Sequence, residues 1–104
     1  MTGKSGEIDT RRGGESVTVA VAGEVDLSTA GELDAAIRAA EETELSRIVV
    51  DLSDLSFIDS TALEVLLRAS IRHRQDGNRL SFIPSKYDSV TTLIALTCTE
   101  EMFE

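Results

Sequence analysis

The chain has 104 residues, enough for one domain with its own core and too few for two. Nineteen acidic against ten basic side chains leave a formal charge of −9. That sign disfavours duplex DNA and anionic lipid, whose binding draws on phosphate neutralisation, and it suits a basic patch on a protein partner. A lone cysteine, Cys98, excludes an intrachain disulfide and a thiolate metal cluster. No apolar run approaches the about 20 residues that span a bilayer, and Met1-Thr-Gly-Lys-Ser-Gly-Glu7 has no signal-peptide core, so the expected location is cytoplasmic.

Residues 1–7 are small and polar and are expected to be flexible. A short strand over Glu7–Arg12 is turned back by Gly13-Gly14, and Ser16–Ala22 alternates with the period of a half-buried strand. Gly23-Glu-Val-Asp then leaves the sheet as a loop. Thr29 and Glu32 have capping-box spacing, and Leu33, Ala36, Ile37 and Ala40 form one helical stripe, with Glu32, Arg38 and Glu41 outward. Ile48–Leu52 is β-branched and apolar, as a buried strand should be. A second helix runs from about Thr61 to Gln75, stopped by Asp76-Gly77-Asn78. Leu80–Ile83 is a further strand, ended by Pro84, and Ser85 or Lys86 opens a third helix with Tyr87, Val90, Leu93 and Ile94 on one side. The tail, with Met102 and Phe103, is placed to dock on the sheet. This order predicts a single α/β domain spanning 1–104. Its sheet is mixed but mostly parallel, with four to five strands against three to four helices.

Ser60 stands between strand and helix, at a carboxyl strand end where α/β sheets place their sites. Its hydroxyl is either a helix cap or a place for chemistry on oxygen. Thr61 and Glu64 make a capping box by themselves, and if Thr61 is the cap the Ser60 hydroxyl is spare. A phosphate there would carry ~−1.5 to −2 charges beside the positive end of a helix, which the fold tolerates and a docked partner does not. Glu64 either crowds such a phosphate or is drawn aside by Arg68 one turn later.

Other groups point elsewhere. Asp26, Asp51, Asp54 and Asp59 lie near strand ends, and Lys86 follows at the depth an aspartyl-phosphate receiver would need. The early acidic pair of such a receiver is missing, and so is one strand–helix unit. Gly3-Lys4-Ser5 lacks the preceding glycine and strand of a P-loop. His73 has no second histidine or nucleophile nearby in sequence and is expected at the surface. Arg68, Arg72, Arg74 and Arg79 are expected to form a solvated helix face. Nothing basic flanks Cys98 to activate its thiol. No base or metal cluster indicates an enzyme, and no cofactor or metal is expected.

Gly23-Glu-Val-Asp-Leu-Ser-Thr-Ala30, Val50-Asp-Leu-Ser-Asp-Leu-Ser-Phe-Ile-Asp-Ser60 and Leu96-Thr97 with Phe103 together resemble the STAS domain, and within it the bacterial anti-sigma-factor antagonists. The resemblance covers nearly the whole chain. It implies a STAS-like fold and partner switching. The unmodified protein would hold an anti-sigma factor of the GHKL serine-kinase type, releasing a sigma factor for transcription. Phosphorylation of Ser60 would end that binding, and a PP2C-type phosphatase would restore it. Direct contact with nucleic acid or membrane is not implied. The partner surface carried over comprises Asp26, Ser28, Thr29, Asp59, Thr61, Ala62, Leu63 and Glu64. Where the family reads Asp-Ser-Ser-Gly-Leu-Gly, this chain has Asp59-Ser-Thr-Ala-Leu-Glu64, so both glycines are replaced: either the kinase diverges to offer Glu64 a basic contact, or phosphorylation has weakened or been lost. The alternative is a STAS scaffold, sensor or lipid-transport accessory that binds its partner without phosphorylation.

Overall fold

Residues 6–75 and 79–97 are described by the structure, a computed structural model. The elements follow as β1 (Glu7–Gly13), β2 (Ser16–Val25), α1 (Leu27–Glu41), β3 (Arg47–Ile58), α2 (Ser60–Gln75), β4 (Leu80–Ile83) and α3 (Asp88–Thr97). The four strands form one sheet in the order β1-β2-β3-β4, with β1–β2 antiparallel and the other two pairs parallel. The mixed, mostly parallel α/β architecture is therefore the one predicted, with four strands and three helices among the described residues. Of the start expected to be flexible, only Gly6 and Glu7 are described, and Glu7 already pairs with Ala22. The helix stop at Asp76-Gly77-Asn78, Cys98, Met102 and Phe103 lie outside the described residues.

β1 and β2 form a hairpin over Gly14 and Glu15, with Gly14 at φ 59°, a left-handed conformation that glycine adopts without strain. Burial alternates along the first part of β2, where Val17, Val19 and Val21 are fully buried. β3 inserts an extra residue opposite Ala20–Ala22 and another opposite Gly23–Glu24. These two bulges carry both strands well past the ends expected from period-2 spacing, to the pair Val25↔Ile58. They also change the spacing of inward side chains, so β3 buries Ile48, Val50 and Leu52 and then Leu55 and Ile58.

One core joins these strands to the helices. Leu33, Ile37 and Ala40 of α1, Ala62, Leu66 and Ala69 of α2, Phe82 of β4, and Val90 and Ile94 of α3 all belong to it. Burying each large side chain contributes about 1.5–3 kcal/mol before entropy is counted. Ser85 is buried rather than opening α3: its hydroxyl donates to the Leu55 carbonyl at 2.7 Å and accepts from the Tyr87 N–H at 2.9 Å. The third helix therefore begins at Asp88, later than expected, and Tyr87 and Leu93 remain about 40% exposed.

The largest correction lies at the far ends of α1 and α2. His73 is 5% exposed, and its Nε2 is 2.7 Å from the Glu41 carboxylate. Arg72 donates to both oxygens of the same carboxylate at 3.0–3.2 Å. Arg79 reaches the carbonyls of Thr43 at 3.0 Å and Leu45 at 2.7 Å, just past the end of α1, where the free carbonyls of a helix favour a cation. Glu41 thus points inward and ties α1 to α2. Of the arginines expected on a solvated face, Arg68 fits, whereas Arg72 and Arg79 are committed to this junction, and the Arg74 side chain lies outside the described residues.

Glu41→Gln keeps the shape and removes the charge that both donors share. Hydrogen bonds to a charged group contribute about 1.5–3 kcal/mol, so the variant should lose on the order of 2 kcal/mol. A melting temperature roughly 10 °C lower, with the far-UV spectrum unchanged, is the expected result.

Candidate functional site

Parallel pairing through Val25 and Ile58 brings the starts of α1 and α2 side by side at the carboxyl end of the sheet. The Asp59 N–H donates to the Val25 carbonyl at 3.1 Å, which locks the two strand exits together. Each exit is an aspartate, and each aspartate caps the helix that follows.

Asp26 is the N-cap of α1. Its Oδ1 accepts from the Ser28 N–H at 3.0 Å and the Ser28 hydroxyl at 2.6 Å, while Thr29 Oγ1 accepts from the Asp26 N–H at 2.9 Å. The capping box therefore joins Asp26 to Thr29, and not Thr29 to Glu32 as the spacing had indicated. The helix starts two residues before Thr29. Ser28 and Thr29 accordingly serve the cap first. The hydrogen bond from the Ser28 hydroxyl, with further N–H donors, holds the Asp26 carboxyl below its ordinary value.

At α2 the same device recurs. Asp59 Oδ1 accepts from the Ala62 N–H at 2.9 Å, and the Asp59 carbonyl accepts from the Leu63 N–H at 2.9 Å. Asp59 is the cap in place of Thr61, and Ser60 is the first helical residue. Ser60 and Thr61 are both exposed, and among the described residues neither hydroxyl takes part in a hydrogen bond. Glu64 is exposed and reaches toward Arg68, 3.4 Å away. Of the two arrangements left open for Glu64, this is the one that draws it along the helix. Such an exposed i, i+4 pair is weak and easily exchanged for another contact.

Asp26, Ser28, Asp59, Ser60, Thr61, Leu63 and Glu64 thus share one end of the domain, with Thr29 half-buried beside them. Ala62 does not join the surface. It is fully buried, and its small side chain belongs to the core. Sequence reasoning missed two exposed apolar groups here, Leu27 at 74% and Phe57 at 49% exposure. Leu27 sits three residues before Ala30, so its spacing imitates the buried stripe. Phe57 follows a bulge that no spacing rule reveals.

The carboxylates do not assemble as a phosphoryl receiver would need. Asp51 lies within β3 and accepts from the Ser53 N–H and hydroxyl at 3.0 and 2.7 Å. Lys86 pairs with Asp54 instead, at 2.8 Å; this contact lowers the proton affinity of the Asp54 carboxyl and raises that of the Lys86 amine. Among the described residues no group of three His, Cys, Asp or Glu side chains is placed to hold a metal ion, and no helix is long and apolar enough to cross a membrane.

A family model described as "Mlab, STAS domain" matches residues 8–97. No curated protein matches the chain. Among solved structures, one titled "Crystal Structure Analysis of Mglu" is similar with a TM-score of 0.62 and 20% identity, over 71% of this chain and 18% of that one. The likeness is one of fold, and the chain corresponds to a small part of that larger protein.

Two results are expected from the caps. Asp59→Ala should cost about 1 kcal/mol and loosen the first turn of α2, seen as faster amide exchange at Ala62 and Leu63. Asp26 should titrate below the usual aspartate value of 3.8. Because its folded value is the lower one, the stability it contributes is present above that range and is lost as pH falls through the folded value. Ser28→Ala should move the Asp26 midpoint back up in a carboxyl-detected NMR titration.

Proposed function

This chain belongs to the STAS domain family, and from that membership and the geometry at Ser60 we propose that it is an anti-sigma-factor antagonist switched by phosphorylation. The unmodified face around Asp26, Asp59, Ser60, Thr61, Leu63 and Glu64 binds an anti-sigma factor of the GHKL serine-kinase type and so frees a sigma factor in the cytoplasm. The kinase uses its own ATP, so this chain is a substrate rather than an enzyme. A PP2C-type phosphatase reverses the modification.

One observation carries the reading: Asp59 caps α2, so the exposed Ser60 hydroxyl owes nothing to the fold. A phosphate on it would meet the outward N–H groups of the first turn, where the helix dipole favours an anion by roughly 0.3–2 kcal/mol. The domain keeps its shape. A partner seated over Ser60 and Leu63 must instead strip water from that charge, at a cost of several kcal/mol. At ~1.4 kcal/mol per tenfold, a cost of about 4 kcal/mol weakens binding some thousandfold.

The replaced glycines favour a second reading. Ala62 is buried and Glu64 is held toward Arg68, so the turn that a kinase would approach carries an acidic side chain. On this reading the same face binds a partner without modification, as a scaffold, sensor or lipid-transport accessory.

The experiment is incubation with the GHKL-type kinases of the native host and ATP, read by intact mass, beside binding of Ser60→Ala and Ser60→Glu. Added phosphate on the wild type, none on Ser60→Ala, and binding at least about tenfold weaker for Ser60→Glu than for Ser60→Ala are expected. Equal affinity of the two variants removes the electrostatic switch, and an unmodified wild type moves the case to the second reading. Glu64→Gly should raise the phosphorylation rate; an unchanged rate takes Glu64 out of the argument.

A further inference from the structure

Apolar side chains cost little to expose singly, yet here two are exposed around one groove. Phe57 is 49% and Leu93 39% exposed, and they flank a shallow groove of about 210 Å³ between the end of β3 and the start of α3. Ile58 and Val90 form its apolar floor, and Ser56 and Ser89 complete it. Its volume falls below the about 300–1,000 Å³ of small-molecule sites and suits one inserted side chain.

The surroundings of the groove are acidic. Glu24 is the register partner of Phe57 across a parallel pair, so their side chains share a sheet face. Asp88 stands in the first turn of α3 beside Ser89, whereas the Asp59 carboxylate after Ile58 is committed to the Ala62 N–H at the start of α2. The nearest cation in sequence, Lys86, is taken up by Asp54. An apolar seat with Glu24 next to Phe57 and Asp88 next to Ser89, on a chain of net charge −9, is complementary to an apolar side chain flanked by arginine or lysine.

We infer that the groove between β3 and α3 is a docking site for a basic, amphipathic segment of a partner protein, which inserts one apolar side chain between Phe57 and Leu93. Burial of that side chain supplies the attraction at contact. The carboxylates of Glu24 and Asp88 steer the segment and set its orientation, an effect that salt screens. This site serves a partner whether or not Ser60 is modified, so failure of the phosphorylation assays leaves it standing.

The probe is a short synthetic peptide carrying a leucine between arginines, titrated into the isotope-labelled full chain. Methyl shifts should concentrate at Ile58, Val90 and Leu93 and saturate. Affinity should fall about tenfold in Phe57→Ser and in Leu93→Asn, and it should fall again as salt rises. Because either substitution could loosen the fold, each variant is first melted, and the one that retains the wild-type transition is used; Glu24→Gln, which keeps the side chain's shape and removes its charge, gives a third and milder reduction. Shifts spread over Glu7, Asp9 and Asp54 with equal binding by the variants would mean general attraction of a cation to an acidic protein, and would overturn the proposal. So would equal binding of a peptide whose arginines are replaced by glutamine, or the absence of any saturable shift.

Discussion

The parallel pairing of β2 with β3, carried through two bulges to Val25 and Ile58, determines where the rest of this domain falls. Without the extra residues in β3 the strands would end out of step, and the two helices would begin at different depths. With them, the Asp59 N–H meets the Val25 carbonyl, and two capped helix starts open onto one surface. The local chemistry is economical. Each aspartate ends a strand and satisfies orphan N–H groups of the next helix, so neighbouring hydroxyls need not do so.

The opposite end of the molecule is built on another logic. Glu41 accepts from Arg72 and His73, and Arg79 binds carbonyls beyond α1. These contacts are sheltered from water, and losing one partner leaves another polar group buried. Exposed pairs at the carboxyl end, such as Glu64–Arg68 and Lys86–Asp54, lie in solvent and can be exchanged at little cost. The part-buried contacts hold the far ends of α1 and α2 together, while the start of α2 carries a pair that is readily exchanged.

Much of the fold was legible because it rests on local pattern. The order of elements and the limits of β4 follow from apolar period and from Pro84. The hairpin follows from Gly13-Gly14, and Gly14 does adopt a positive φ. What local pattern could not supply was choice among overlapping signals. Asp26 lies three residues before Thr29, and Thr29 three before Glu32; Asp59, Thr61 and Glu64 offer the same ambiguity. Only the strand register says which residue leaves the sheet last, and the cap is that residue. His73 was misplaced for a related reason, since its partner Glu41 is 32 residues away and no window of sequence shows both. The position of Ser60 was legible throughout. Its freedom from capping duty was not, because that depends on Asp59.

The hairpin at the sheet's edge has a consequence for how such molecules behave when crowded. β1 is an edge strand of the sheet, and an edge is the usual template for one sheet to grow onto another. Its exposed residues run from acidic Glu7 and Asp9 to basic Arg11 and Arg12 along that border, and Arg11 is already bonded to Asp9 at 2.9 Å. A second chain approaching edge to edge would have to displace that pair and dehydrate its members before gaining a ladder. The charges on this border strand therefore raise the cost of edge-to-edge pairing between copies of the domain, because they must lose water before a ladder forms.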